Sequence, residues 1–78
     1  MYDEKELTFG GKRIRVSFNP SKTGLVDYYK GKTADLIDIL QNNRTFSVDS
    51  EYQRLISQAQ TTYEEAAMWA VKAATFGK

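Results

Sequence analysis

The stretch Thr61-Thr62-Tyr63-Glu64-Glu65-Ala66-Ala67-Met68-Trp69-Ala70-Val71-Lys72-Ala73-Ala74 constrains the fold most, because it reads as one helix with apolar groups on more than one side. A globular helix normally carries one apolar stripe and one wet face. In a chain of 78 residues few other elements remain to cover the surplus, so self-association is the first expectation. A domain of this size hides only ~60% of its unfolded surface. The chain has no cysteine and no histidine, which removes disulfides, thiolate sites and zinc as sources of extra stability. Assembly is the route left.

Eleven basic residues stand against ten acidic ones, a formal charge of +1. This near-balance argues against duplex nucleic acid as a partner, and any anion site must be local. No apolar run approaches the ~18 residues of a membrane span. Met1-Tyr2-Asp3-Glu4-Lys5-Glu6 lacks the features of a secretion signal. A soluble, intracellular, single domain over residues 1–78 is expected, with no metal and no cofactor.

The alternation of Ile14, Val16 and Phe18 with Arg13, Arg15, Ser17 and Asn19 predicts a strand with one apolar and one cationic face. Gly10-Gly11 separates it from Leu7-Thr8-Phe9 at the spacing of a tight turn, so a β-hairpin is predicted over residues 6–19. Asn19-Pro20-Ser21 closes it, with Ser21 or Thr23 able to cap a first helix over 23–42. Val26, Tyr29, Thr33, Ile37 and Leu40 form that helix's stripe, widened by Leu36. Gly31 leaves room for close approach. Residues 42–49 read as a loop with Phe46 tucked against the hairpin end, and Ser50 with Gln53 as a capping box for a second helix over 51–75, ended by Gly77. That helix would be roughly 38 Å long, more than packing in so small a domain requires. Its inward stripe is expected from Leu55, Ala59, Tyr63, Ala66, Ala70 and Ala73, with Ile56 and Ala67 beside it. Met68, Trp69 and Phe76 fall outside the stripe and are the expected oligomer interface. The fold class is mainly α with a small β part: an antiparallel two-helix hairpin, preceded by a short N-terminal β-hairpin, in a homo-oligomer.

Catalysis is poorly supported, since histidine and cysteine are missing and no lysine-activated serine is legible. Glu64 and Glu65 point about 100° apart on a helix and suit salt bridging, not shared catalysis. Asp35 and Asp38 lie on one face and read as solvated. Arg13 and Arg15, ~6.6 Å apart along one strand face, suit a phosphate grip with Asn19 nearby. Pairing with Glu4 or Glu6 is the equal alternative. Phe18 and Tyr29 are either base-stacking platforms or core. Lys30, Lys32 and Thr33 add charge and a hydroxyl on the first helix, as a ligand contact or as a solvated basic edge.

Arg13-Ile14-Arg15-Val16-Ser17-Phe18-Asn19-Pro20-Ser21, Lys30-Gly31-Lys32-Thr33-Ala34-Asp35-Leu36-Ile37-Asp38 and Tyr63-Glu64-Glu65-Ala66-Ala67-Met68-Trp69-Ala70-Val71-Lys72-Ala73 resemble the hairpin domain of two phage anti-defence sponges, the anti-CBASS-two and Thoeris-anti-defence-one proteins. The resemblance covers nearly the whole chain, and the first block is closer to the Thoeris branch, which adds a small N-terminal sheet. It implies a non-enzymatic hexamer in the cytoplasm of the infected bacterial host. Such a protein sequesters glycocyclic ADP-ribose, cyclic di- or trinucleotides, or both, between subunits. The ligand-binding candidates are Arg13, Arg15, Phe18, Asn19, Tyr29, Lys30, Lys32 and Thr33, chosen by chemistry within the matching blocks. A small structural or adaptor oligomer and a single-stranded nucleic-acid binder are the competing readings, the latter opposed by the near-neutral charge.

Overall fold

In the computed structural model, which describes residues 7–19 and 23–77, the chain is a helical hairpin with a short helix packed against its middle. Helix α1 spans Phe9–Ile14, α2 spans Gly24–Asn42 and α3 spans Ser50–Ala74, with a 3₁₀ turn at Asn43–Phe46 closing the hairpin. The described Cα atoms extend 45 × 26 × 12 Å. A slab this thin has little interior.

The expected β-hairpin is replaced by a helix, and no strand occurs among the described residues; its first position, Glu6, lies outside them. Three features, two local and one tertiary, override the two-residue alternation. The Thr8 hydroxyl accepts from the Gly11 amide at 3.0 Å and caps α1 at its start. Gly10 lies directly on α2, where its amide donates to Asp38 Oδ1 at 2.6 Å. A Cβ on Gly10 would stand 2.1 Å from the Ala34 carbonyl oxygen, so the glycine pair serves helix-on-helix contact and not a hairpin turn. At the far end Arg15 adopts the left-handed conformation with φ 59°. The Val16 amide then donates to Gly11 O at 3.1 Å and the Arg15 amide to Lys12 O at 3.2 Å, the two bonds that close a Schellman motif. Ile14 and Val16 are buried as the alternation required, but the backbone between them reverses instead of extending.

The core is Ile14, Val16, Ala34, Ile37 and Ala67, with Leu7 packed against it. On α2 the stripe runs through Val26, Lys30, Ala34 and Ile37, so Tyr29, Thr33 and Leu40 are only partly covered. On α3 the buried positions are Ile56, Gln60, Ala67 and Ala74. The expected stripe through Leu55, Tyr63, Ala66 and Ala73 is therefore rotated by one residue, and Leu55 and Tyr63 face outwards. Gln60 lies in the middle of the observed stripe. It is fully buried, its Nε2 donates to the Ile37 carbonyl and to Gln41 Oε1, each at 3.1 Å, and its Oε1 accepts from Arg44 Nη2 at 2.8 Å. A polar residue with every contact met can occupy the seam that an apolarity count assigns elsewhere.

Arg44 binds the hairpin tip together. Its guanidinium donates to Gln41 Oε1, Gln53 Oε1, Ser57 Oγ and Gln60 Oε1 at 2.8–2.9 Å. The capping box predicted at Ser50 and Gln53 is absent. Asp49 caps α3, accepting from the Glu51 amide at 2.8 Å, while the Gln53 amide group donates to the Arg44 and Ser47 carbonyls. Phe46 does not tuck in; it is 75% exposed.

Candidate functional site

The C-terminal turn of α1 and one face of α3 enclose a groove of about 370 Å³. Its first wall comes from Arg13, Ile14, Arg15 and Phe18, with Lys30 of α2 beneath. The second wall is Glu64, Ala67, Met68, Val71 and Lys72, which share a face because they recur at three- and four-residue steps along α3. Four cationic side chains and one acid thus meet around an otherwise apolar recess.

The four cations differ in what they already hold. Arg13 is tied to Glu64 by two bonds to the same carboxylate oxygen, from Nε at 3.1 Å and from Nη2 at 2.6 Å. Arg15 lies over the Phe18 ring at 4.3 Å, and its guanidinium donates to no described residue. Lys30 is 7% exposed. Its ammonium donates to the carbonyls of Arg15 and Phe18 and sits 5.4 Å from the Phe18 ring, so it holds the turn that presents both residues. Burial lowers its pKa below the usual lysine value, Arg15 adds to the shift, and Asp27 opposes it. Lys72 rests 5.3 Å from the Trp69 ring.

Arg13 and Arg15 are therefore not neighbours on a strand face. Arg13 lies in the last turn of α1 and Arg15 is the left-handed residue that ends it, and among the described residues only Arg13 of the two has its guanidinium engaged by a carboxylate. Of the predicted ligand contacts, Arg13, Arg15, Phe18 and Lys30 converge on the groove. The others go elsewhere. Asn19 Nδ2 donates to the Thr23 carbonyl and to Asp27 Oδ1, Tyr29 stands edge-on to Tyr28 with centroids 6.2 Å apart, and Lys32 lies 5.5 Å from the Tyr28 ring. The Thr33 hydroxyl donates to the Tyr29 and Lys30 carbonyls of its own helix. Asp38, read as solvated, holds Gly10. The pairing of the arginines with Glu4 or Glu6 lies outside the described residues.

Sequence reasoning missed Glu64 and Lys72 as groove residues. The eight-residue spacing that puts both on one helix face was present, but it acquires meaning only once α1 is docked above it. Met68 lines the groove, while Trp69 and Phe76 lie open, Trp69 at 63% exposure. Among the described residues no helix is long and apolar enough to cross a membrane, and no cluster of acidic side chains is suited to a metal ion.

The sequence profile of the Acb2/Tad1 hairpin domain matches residues 11–75 of this chain. Neither the curated proteins nor the solved structures contain a match. The match spans α2, α3 and most of α1, including every groove residue, and does not separate the two branches of the family.

Proposed function

Because the chain belongs to the Acb2/Tad1 hairpin-domain family, we propose that it is a phage anti-defence sponge, acting in the cytoplasm of the infected host by holding nucleotide second messengers without cleaving them. The observation that carries this reading is the convergence of Arg13, Arg15, Lys30, Lys72 and Phe18 on one groove. Guanidinium and ammonium groups grip phosphate by charge-assisted bonds, and an apolar floor accommodates a base or sugar. Cyclic di- and trinucleotides and glycocyclic ADP-ribose share those two parts. A sequence without histidine or cysteine is poorly equipped for hydrolysis, which favours capture over turnover.

The working form is a homo-oligomer, hexameric by the family resemblance. Leu25, Leu36 and Ile39 on α2, and Leu55, Met68 and Trp69 on α3, are large apolar side chains left outside a slab only 12 Å thick. So much exposed apolar surface on a small chain marks an interaction face.

One experiment tests the whole reading. The purified protein is held for hours with glycocyclic ADP-ribose and a panel of cyclic di- and trinucleotides, passed over a sizing column with light scattering, and the oligomer peak is heat-denatured. Chromatography is expected to recover an intact messenger from a closed oligomer. Recovery of a linear product makes the protein an enzyme, an oligomer peak that retains nothing leaves the adaptor reading in its place, and a monomeric peak removes the assembly argument.

A further inference from the structure

We infer that Glu64 is the specificity-determining residue of the groove, accepting a hydrogen bond from a ribose hydroxyl or base amino group while Arg15 and Lys72 hold the phosphate. The inference rests on the sponge reading and goes beyond it. An anion site has an evident reason to exclude carboxylates, since each repels the ligand it must hold. Yet Glu64 lines the groove, on the same α3 face as Lys72. Neutralising Arg13 accounts for only part of the carboxylate, because both Arg13 bonds end on Oε2. Oε1 accepts from no described residue. The pair is partly open, with 27% and 38% of the Arg13 and Glu64 side chains exposed, so a ligand in the groove can approach the carboxylate without the salt bridge breaking.

A groove built this way reads two chemistries at once. Phosphate alone satisfies Arg15, whose donors are unspent, and Lys72. It does nothing for Oε1 and suffers repulsion from it. A nucleotide supplies N–H and O–H donors along with phosphate, and a hydrogen bond to a charged acceptor is stronger than one between neutral groups. Glu64 therefore penalises bare phosphates and polyphosphates, which are abundant competitors for any cationic pocket, and admits ligands that carry a nucleoside.

The test compares wild type with Glu64→Gln and Glu64→Ala, using glycocyclic ADP-ribose, cyclic di-AMP and inorganic pyrophosphate as probes, read by calorimetry and by chemical-shift titration to millimolar concentration. The readout is selectivity, the affinity for a bound nucleotide divided by that for pyrophosphate. Glu64→Ala is expected to lower this ratio by about ten- to a hundredfold, chiefly by weakening the nucleotide, while pyrophosphate binding stays the same or tightens. Glu64→Gln, which keeps an acceptor without its charge, is expected to fall between. If Glu64 only neutralises Arg13, both ligands shift together and the ratio is unchanged, which overturns the inference. Failure of both the wild type and Glu64→Ala to bind pyrophosphate also overturns it, because the phosphate half of the site would then not stand alone. Failure to bind either nucleotide sinks the sponge reading itself, a result visible in the wild type without any variant.

Discussion

The two ends of the hairpin are each held by a buried or half-buried cation, and they use it differently. At the tip, Arg44 donates to side chains of Gln41, Gln53, Ser57 and Gln60, all neutral acceptors of its own chain. Nothing is left to offer a ligand. Towards the open end, Lys30 holds the carbonyls of Arg15 and Phe18, and in doing so presents a second cation, Arg15, whose guanidinium rests on a ring and donates to no described residue. A guanidinium with all its donors met is structural, and one held in place by packing but short of partners is equipped to bind. Composition scores the two arginines alike. Their hydrogen-bond accounts separate them.

The largest expected effect falls on what seats α1 on the hairpin. Gly10→Ala would put a methyl group 2.1 Å from the Ala34 carbonyl oxygen, a contact with backbone that cannot step aside. Forced overpacking costs ~1–3 kcal/mol, occasionally more. Denaturant unfolding is expected to show a loss at or above the top of that range, with the groove resonances perturbed and those of Gln53 and Ser57 at the tip unchanged. Wild-type stability in this variant would mean that α1 does not sit on α2 as described.

The contrast between the two arginines sharpens with paired substitutions. Arg44→Met is expected to cost ~1–3 kcal/mol by leaving the Gln60 and Gln53 acceptors without donors, with ligand affinity retained once the protein is folded. Arg15→Ala is expected to weaken messenger binding by about ten- to a hundredfold with little change in stability. Arg15→Gly should lose binding equally, yet match or exceed wild-type stability, since glycine occupies the left-handed position without the ~1 kcal/mol penalty of a side chain. Calorimetry and thermal melts on these variants decide the matter: equal losses of affinity at Arg44 and Arg15 would erase the distinction between the two ends.

The smallest effect is electrostatic. Burial lowers the Lys30 pKa from its ordinary value of 10.5, so in the window below 10.5 the unfolded chain binds more protons than the folded one, and folding stability rises with pH across it. The stability difference between wild type and Lys30→Met is therefore expected to shift in favour of wild type as pH climbs through this window. Anion affinity should move the opposite way as the ammonium is lost. A pH-independent difference would place Lys30 in solvent.

Much of the fold is legible in the order of the residues. The three- and four-residue recurrences over 23–42 and 51–75 match α2 at Gly24–Asn42 and α3 at Ser50–Ala74, because long amphipathic periods cannot be mistaken for strands. Phe18, Lys30 and both arginines stand out as the chemistry-bearing part of the first half, and the groove gathers them. The short segment ahead of α2 misleads. Six helical residues give fewer than two full periods, and glycine, the usual flag of a left-handed helix end, is replaced there by Arg15.

Residue types and their spacing determined that this chain is a helical hairpin with surplus apolar surface, a local rather than global positive charge and neither histidine nor cysteine, because these are properties of single residues and of periods longer than a turn. Only the tertiary structure decided that Gly10 is a contact and not a bend, that Gln60 lies in the seam of α3, and that Glu64 and Lys72 face Arg15 across a groove. Each of those depends on a partner more than twenty residues away along the chain, and no local pattern carries information about distance in space.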